Sequence, residues 1–389
     1  MAARNLLVDV HTHVYLPRYA SVLRSRATAP RILSRPTPNG QGTEERLVIL
    51  ENEPSGGRPV GPQYWDRDEK LKFMDKHGID ISIVSPFKSD STANPWLDFL
   101  SPAEAPSLAS ALNNDLEAYC STSPSLASSL RRLYGFGLLP LLPTVPTNTL
   151  LSTITEITSL PHLKGIIMGT RGVGKGLDDD ALEPVWEALA KAGLVVFLHP
   201  HYGIPSGEWG ERDNGHVLPL ALGFPFETTI ATTRLVLAGV LDRHPTLRLL
   251  LAHSGGCLPQ LSSRLASCID HDPAVASRLQ HDARWYLGRL YFDAVSYGRE
   301  ELAFVAECVG RADGYDKNTP RVSQARQRTL GSSHLLFGTD HPFFPPLSES
   351  EKWRSVTENL DAIDGVEGWG EEERKGVRGG NAARLFGLY

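Results

Sequence analysis

Eight short apolar segments recur along this chain, and helical patterns lie between most of them. Each ends in polar or turn residues, and segments that are apolar throughout are typical of parallel strands covered on both faces. Eight strands alternating with helices favour a closed barrel over an open sheet. The sequence therefore predicts the α/β fold class, as a (β/α)8 TIM barrel. The segments are LLVDV (6–10), DISIVS (80–85), LYGFGLL (133–139), KGIIMG (164–169), LVVFL (194–198), LRLLLA (247–252), LYFDAV (290–295) and HLLFGT (334–339).

The length of the chain predicts insertions into this barrel. No Pro/Ser-rich linker or repeat divides the 389 residues, so we expect a single domain over residues 1–389. A barrel of this type needs only about 250 residues, and the rest is expected at its mouth. Residues 24–63 are rich in Pro, Gly and Arg, and their two apolar pieces, Arg31–Leu33 and Leu47–Leu50, predict a small hairpin. Residues 311–333 are predicted to form a surface loop.

Charge and hydropathy argue against several classes of partner. The net charge is −6 and no basic stripe is present, so we expect no nucleic-acid partner. No apolar run reaches the roughly 18–20 residues of a membrane span, and the first residues lack the apolar core of a signal peptide. The four cysteines show no CxxC spacing, which favours reduced thiols. The sequence therefore predicts a cytoplasmic protein that does not bind membranes.

Residues that can bind a metal follow four of the eight predicted strands. Because side chains alternate along a strand, His11 and His13 lie on one face at the end of the first strand. The fifth, sixth and eighth strands also end in an imidazole or a carboxylate. Barrel enzymes hold their active sites at the C-terminal ends of the strands. The residues after these three strands are His199, His253 and Asp340.

Three imidazoles and one carboxylate suit Zn²⁺ or a similar divalent cation. We predict that His11, His13, His199 and Asp340 are the metal ligands, with positions left open for water or substrate. Any one of these histidines alone is more commonly a hydrogen-bonded core residue. Their placement together at strand ends is what favours a metal site.

The strand-end motifs also resemble a known family. HTH after the first strand, LHP after the fifth, HSGG after the sixth, FGTDHPF and a late GNAARLFG resemble the metal-dependent decarboxylase branch of the amidohydrolase superfamily. The resemblance spans nearly the whole chain. It implies an amidohydrolase-type barrel, a carboxy-lyase acting on a small ring carboxylate, and a homodimer or higher homo-oligomer. Many dinuclear amidohydrolases carry a carbamylated lysine at the end of the fourth strand, whereas Lys164 lies at its beginning, so we expect a single metal ion, Zn²⁺.

Shorter sequence motifs indicate which substrate, among those of the related decarboxylases, the resemblance implies. GFPFETT, AHSGG and DHPFF look most like fungal uracil-5-carboxylate (isoorotate) decarboxylases, which implies conversion of that acid to uracil and CO₂. Aminocarboxymuconate-semialdehyde decarboxylases carry Arg at the position of Lys70 and Trp at that of His201. Both departures weigh against the muconate substrate.

The resemblance also assigns two catalytic roles. Asp340, on the eighth strand, is expected to protonate C5 of the ring, while His253 steers the proton or positions a water. The metal is expected to chelate the substrate carboxylate and the neighbouring O4.

Four further residues are candidate substrate contacts, each with a structural alternative. Arg264 stands eleven residues after His253, where the family uses an Arg, often from a neighbouring subunit, to grip the substrate carboxylate. Phe343 and Phe224 are expected to form an aromatic wall, and Asn94 to contact a ring carbonyl or NH. The alternatives are a solvated helix position for Arg264, core packing for the two phenylalanines and turn capping for Asn94.

Rival functions use the same metal site. A hydrolase would activate water against a lactone or amide. A sibling decarboxylase would act on a hydroxybenzoate or on aminocarboxymuconate semialdehyde. A non-catalytic metal-binding barrel would hold an ion without turnover. Release of CO₂ from a ring acid distinguishes these possibilities.

Overall fold

The computed structural model of the chain describes residues 6–389 with internal gaps. The exceptions are residues 38–39, 41, 49–56, 87–96, 98–99, 127–129, 202, 205–206, 208–209, 211, 213, 215–216, 317–322, 344, 347 and 349. Asn94, a predicted substrate contact, therefore lies outside the described residues.

Eight parallel strands form the main sheet, and three antiparallel strands form a second one. The strands are β1 (Val8–Val14), β2 (Arg31–Pro36), β3 (Thr43–Val48), β4 (Arg58–Pro59), β5 (Ile81–Pro86), β6 (Leu133–Leu138), β7 (Leu163–Met168), β8 (Val195–Leu198), β9 (Arg248–Leu251), β10 (Leu290–Asp293) and β11 (Leu335–Leu336). The main sheet runs in the order β1-β5-β6-β7-β8-β9-β10-β11. The eight predicted segments correspond to the eight strands of the main sheet, and the predicted barrel is confirmed.

Backbone hydrogen bonds between β1 and the segment after β11 close the barrel. Four bonds link the two edges: Val10 N to Phe337 O (3.0 Å), Thr339 N to His11 O (3.2 Å), Asp340 N to His11 O (2.7 Å) and His13 N to His341 O (2.7 Å). β11 itself is only two residues long, so this seam is made mainly by residues 337–341. The seam therefore fixes the HTH motif directly against the segment that carries Asp340.

Helices cover the outside of the barrel. They are α1 (Pro17–Ser25), α2 (Arg67–His77), α3 (Ala105–Ser121), α4 (Thr147–Thr158), α5 (Glu183–Ala192), α6 (Phe224–Leu237), α7 (Val240–Arg243), α8 (Leu258–Asp270), α9 (Pro273–Ala276), α10 (Arg299–Gly310), α11 (Gln324–Ser333), α12 (Arg354–Gly365), α13 (Glu371–Lys375) and α14 (Asn381–Phe386). Apolar residues at i, i+3, i+4 spacing over residues 228–243 are typical of one helix, but Gly239 adopts a left-handed conformation (φ 68°) and separates α6 from α7.

The structure predicted for the first insertion is observed, whereas that predicted for residues 311–333 is only partly observed. β2 and β3 pair Arg31 with Val48 and Ile32 with Leu47, so the two apolar pieces form the expected hairpin, to which β4 adds a third strand. The expectation of a surface loop over 311–333 is wrong for its second half, because α11 occupies Gln324–Ser333. Ser323 caps this helix by accepting a hydrogen bond from Arg326 N.

One buried apolar cluster extends from Val8 to Leu388 and includes the barrel interior and the inner faces of the helices. This continuity supports the proposal of a single domain. Among the described residues, no helix is both long and apolar enough to cross a membrane.

Candidate metal centre and active site

The four predicted metal ligands converge at one end of the barrel. One ligand atom from each of His11, His13, His199 and Asp340 lies within 4.8 Å of the others, and all four residues are buried. His11 and His13 project from β1, and His199 directly follows β8. Asp340 lies beyond β11 with a left-handed backbone (φ 55°), which is uncommon for a residue other than glycine and is concentrated at functional sites.

The spacing of the ligand atoms fits a metal ion. His11 Nε2 lies 3.2 Å from His199 Nε2 and 3.4 Å from Asp340 Oδ1, and His13 Nε2 lies 3.2 Å from the same oxygen. Metal–nitrogen bonds of about 2.0–2.1 Å at tetrahedral angles place neighbouring ligand atoms roughly 3.3 Å apart. The donor set and its spacing therefore both suit a divalent cation.

Hydrogen bonds at Nδ1 orient the three imidazoles. His199 Nδ1 donates to Pro200 O (2.8 Å), and His11 Nδ1 donates to Asp293 Oδ2 (2.5 Å). His13 Nδ1 lies 2.6 Å from Ser85 Oγ, which itself donates to a backbone carbonyl and so accepts from the ring. With Nδ1 carrying the proton, the Nε2 lone pair of a neutral ring is the one available to a metal.

The electrostatics of the cluster favour cation binding. Burial and the neighbouring imidazoles hold the pKa of His199 well below its usual value, so this ring is neutral at neutral pH. Burial alone would lower the pKa of His11, but the carboxylates of Asp293 and Asp340 raise it to about 10. Burial opposes ionisation of Asp340, yet His11 and His13 hold its pKa well below the usual value. A cation at this site therefore competes with a proton on His11.

Asp293 organises the site and was missed by the sequence analysis. Besides His11, its carboxylate accepts hydrogen bonds from the backbone N–H groups of His253 (3.0 Å), Ser254 (2.8 Å) and Val295 (3.1 Å). His253 and Ser254 have positive φ angles of 54° and 53°, and these bonds hold that turn in place. The available signal was a carboxylate inside the otherwise apolar seventh predicted segment, 290–295, of which the observed strand β10 includes only Leu290–Asp293.

The ligand cluster opens into a cavity of about 790 Å³. Asp340 and His253 line it, with His253 Nε2 4.0 Å from Asp340 Oδ2. Phe224 and Phe343 line it too, and both are buried, so their role as an aromatic wall for a ligand stays a prediction. Phe224 stacks on His253 with ring centroids 6.3 Å apart, and Phe343 meets His13 edge-on at 5.6 Å.

Two arginines differ in their relation to this cavity. Arg264 is exposed on α8 and does not line the cavity within this chain, so its predicted role stays a prediction that needs a neighbouring subunit. Arg58, on β4 of the inserted sheet, lines the cavity with its guanidinium carbon 5.9 Å from the Phe343 ring centroid. Arg58 was missed, because nothing in its Pro- and Gly-rich surroundings predicts that it points into the barrel mouth.

Lys70 and His201 lie behind the site, away from the substrate cavity. Lys70 is fully buried and donates to Thr12 Oγ1, with His341 Nδ1 3.3 Å from its Nζ. The backbone N–H of His201 donates to Glu227 Oε2 (3.0 Å). Glu227 is a buried residue of α6 that also accepts from Gly203 N (2.6 Å), so it holds the backbone of His201 and Gly203. Sequence reasoning missed Glu227, because an acid inside a helix carries no positional signal.

A closed eight-stranded barrel with three imidazoles and a carboxylate at the C-terminal ends of its strands is the architecture of a metal-dependent (β/α)8 enzyme. A family model described as Amidohydrolase matches residues 8–388. The chain belongs to this family.

Known proteins that are similar to this chain include several decarboxylases. The crystal structure of Metarhizium anisopliae IDCase in apo form is 40% identical, with a TM-score of 0.82, and the match covers 100% of this chain and 99% of that one. The 2-amino-3-carboxymuconate-6-semialdehyde decarboxylase of Dictyostelium discoideum is 26% identical over 387 residues, which is 99% of this chain and 92% of that protein.

A third relative shows the same fold with a metal bound. This is a mutant form of 5-carboxyvanillate decarboxylase LigW2 from Novosphingobium aromaticivorans, solved with manganese. It is 18% identical, with a TM-score of 0.68, over 100% of this chain and 99% of that one. At this identity the likeness shows the fold alone.

Proposed function

We propose that this amidohydrolase-family decarboxylase converts uracil-5-carboxylate (isoorotate) to uracil and CO₂ and depends on one divalent metal ion. The observation that carries the proposal is the convergence of His11, His13, His199 and Asp340 at the end of an aromatic-walled cavity. IDCase, an isoorotate decarboxylase, is 40% identical over the whole chain and supports this substrate over related ring acids.

The chemistry follows from the electronics of the ring. C5 of a uracil is enamine-like and accepts a proton, which makes this carbon tetrahedral. The bond to the carboxylate then breaks, its electron pair restores the ring double bond, and CO₂ leaves. A bound divalent cation supplies positive charge that orients the anionic substrate and stabilises developing negative charge.

Asp340 and His253 are positioned to deliver the proton. Asp340 is held ionised by His11 and His13, so it must receive a proton before it can donate one to C5. His253, whose side chain is 17% exposed, lies 4.0 Å from Asp340 Oδ2. His253 thus connects the buried carboxylate to solvent and replaces the proton that Asp340 transfers.

Aromatic and cationic side chains would bind the ring. Phe224 and Phe343 present buried faces to the cavity, which suits a flat pyrimidine. Arg58 provides a cation beside Phe343 within this chain and suits the substrate carboxylate or a ring carbonyl. Asn94 keeps its proposed role as a contact to a ring carbonyl or NH.

Zinc is the cation we propose for the site. Imidazole nitrogen and carboxylate oxygen are both zinc donors, and zinc can expand from four to five ligands, so this set of four side chains can still admit a substrate. Because the relative solved with manganese has the same fold, metal analysis of the purified protein should quantify both ions. Zinc at about one equivalent per chain supports the proposal, and manganese as the activating ion contradicts it.

We also propose that the protein acts as a homodimer or higher homo-oligomer. Large apolar side chains are exposed near α6 and α8: Val217 (66%), Leu222 (40%), Ile230 (57%) and Leu261 (42%). Arg264 lies one turn after Leu261 on α8, so a second copy covering this surface would bring its own Arg264 close to the cavity mouth. Light scattering should give a multiple of the chain mass, and Ile230→Asp should reduce it to one chain.

Substrate screening tests the proposed activity. The metal-loaded protein should release CO₂ from 5-carboxyuracil and form uracil, while His199→Ala should lose both metal and turnover. A hydroxybenzoate and aminocarboxymuconate semialdehyde test the sibling decarboxylases, and a lactone and an amide test the hydrolase. Absence of CO₂ from 5-carboxyuracil, with turnover of one of these compounds, would replace the proposed substrate.

A further inference from the structure

The cavity is larger than its proposed substrate requires. A volume of about 790 Å³ lies in the range that accommodates drug-sized ligands, whereas 5-carboxyuracil is one ring with one carboxylate. The inner end of the cavity holds Asp340, His253 and the two phenylalanines. The other end, here called the outer subsite, is lined by Tyr297, Glu301, Arg354, Ser355 and Glu358 from the β10–α10 connection, α10 and α12.

Ser355 provides an independent sign that the outer subsite binds a ligand. This residue is only 2% exposed, it lines the cavity, and its Oγ makes no hydrogen bond to any described residue. A buried hydroxyl without a partner costs free energy that a hydrogen-bonding ligand group would recover. Ser355 therefore offers its hydroxyl for a hydrogen bond to a polar ligand group in the outer subsite.

Tyr297 connects the two ends of the cavity. Partial burial and the negative charges of Asp340, Asp293 and Glu358 raise the pKa of this tyrosine, so its phenol stays protonated and can donate a hydrogen bond. Its backbone is left-handed (φ 60°), and its N–H donates to Asn359 Oδ1 (3.0 Å) on α12. The bond to Asn359 fixes the backbone of Tyr297 beside α12, and Tyr297 lines the same cavity as Asp340 and Glu358.

The chemistry of the ring determines which substituent would reach the outer subsite. With the C4–C5 edge of the pyrimidine facing the metal ligands, N1 lies on the opposite edge and points away from them. The carboxylates of Glu301 and Glu358 accept hydrogen bonds from hydroxyl groups, and Ser355 both donates and accepts. Arg354 also lines the cavity and its Nε lies 3.2 Å from Glu358 Oε1, so it offsets one of the two negative charges. The charge of Glu301 remains and disfavours a phosphate.

We propose that the outer subsite binds an uncharged, polyhydroxylated substituent on N1, so that the enzyme also decarboxylates nucleosides of the 5-carboxyuridine type. This inference rests on the proposed decarboxylase function. The reaction is unchanged: the bond from C5 to the carboxylate breaks, CO₂ leaves, C5 keeps the proton delivered by Asp340, and the glycosidic bond stays intact.

Three substrates test the inference on the metal-loaded protein: 5-carboxyuracil, 5-carboxyuridine and 5-carboxyuridine 5′-monophosphate. We expect kcat/KM for the nucleoside to lie within about tenfold of that for the base, and the nucleotide to be at least about tenfold poorer than the nucleoside because of charge repulsion. Uridine and CO₂ should form in equal amounts.

Substitutions in the outer subsite test whether its residues bind the sugar of the nucleoside. Glu358→Gln and Ser355→Ala should each lower the ratio of nucleoside to base kcat/KM by about tenfold, because a hydrogen bond to the sugar is weakened or lost. Glu307→Gln is the matched control, since Glu307 lies on α10 outside this cavity and should leave the ratio unchanged.

The failures of the two proposals are distinguishable. Turnover of 5-carboxyuracil without turnover of 5-carboxyuridine overturns the outer subsite and leaves the proposed function standing. Turnover of both, with the ratio unchanged in Glu358→Gln and Ser355→Ala, also overturns the assignment of these residues. Turnover of neither compound overturns both proposals.

Discussion

Asp293 Oδ2 lies 2.5 Å from His11 Nδ1, and neither side chain is exposed to solvent. The carboxylate ends β10 and the imidazole belongs to β1, so this contact spans 282 residues of sequence. It directs His11 Nε2 towards His199 and Asp340. The same carboxylate holds the backbone of His253 and Ser254, and so one buried group positions both a metal ligand and a proposed proton carrier.

Asp293→Asn should weaken metal binding by about 10–100-fold. All four hydrogen-bond partners of this carboxylate donate to it, so the amide NH₂ of asparagine would face a donor wherever it points. Metal retained after dialysis against a graded series of chelator concentrations measures the effect. Asp115→Asn, at a surface ion pair with Arg18, is the matched control and should bind metal normally.

Asp340→Asn should abolish both decarboxylation and the exchange of the C5 hydrogen of uracil with deuterium from solvent. The amide cannot carry the proton that the mechanism places on this residue, and it is a weaker metal ligand than a carboxylate. NMR of uracil in D₂O, at a metal concentration that saturates the variant, separates the two effects. Exchange at the wild-type rate would remove Asp340 as the acid.

Arg58→Gln should raise KM for 5-carboxyuracil by about tenfold with a smaller effect on kcat, because it removes a charged hydrogen-bond donor from the cavity. Arg264→Gln should raise KM only in the assembled oligomer, since this side chain does not line its own cavity. Steady-state kinetics of both variants, alone and combined with Ile230→Asp, separate the two contributions. An unchanged KM in Arg264→Gln within the oligomer would make Arg264 a surface residue.

The sequence was sufficient for the barrel and the metal ligands for a physical reason. Parallel strands buried on both faces are apolar throughout, so a polar residue at a strand end stands out against its own segment. His199 and Asp340 were identifiable in this way, although 141 positions separate them. Asp293 obeyed the same rule, but its role depends on a contact with His11 that no local pattern encodes.

Residues outside the eight barrel strands were not predictable, because their positions depend on contacts between distant elements. Arg58 reaches the cavity only because β2, β3 and β4 fold together over the barrel mouth. Glu227 accepts hydrogen bonds from the backbone N–H groups of Gly203 and His201, which precede it by 24 and 26 positions. The position of Lys70 was noted in the sequence, but only its burial against Thr12 shows that it lies outside the substrate cavity.

The stability of the metal-free protein should fall as the pH drops below about 6.5, and His334 should account for part of this fall. Burial lowers the pKa of His334, although its Nδ1 donates a hydrogen bond to Leu290 O (2.8 Å). In the unfolded chain His334 therefore becomes protonated near pH 6.5, whereas in the folded protein it stays neutral until the pH reaches its lower, folded-state pKa. Between these two pKa values, each drop in pH stabilises the unfolded state relative to the folded state.

His334→Asn isolates this contribution, because the amide keeps the hydrogen bond to Leu290 O but does not titrate. We expect a less stable variant at pH 7.5, since the stacking of His334 on Tyr291 is lost, but a flatter pH dependence. Between pH 6.5 and 5.5 the difference in slope can reach about 1.4 kcal/mol per pH unit. Urea unfolding with chelator present at several pH values measures both quantities. Parallel curves for wild type and variant would contradict a depressed pKa at His334, because a non-titrating residue cannot reproduce proton uptake by the unfolded histidine.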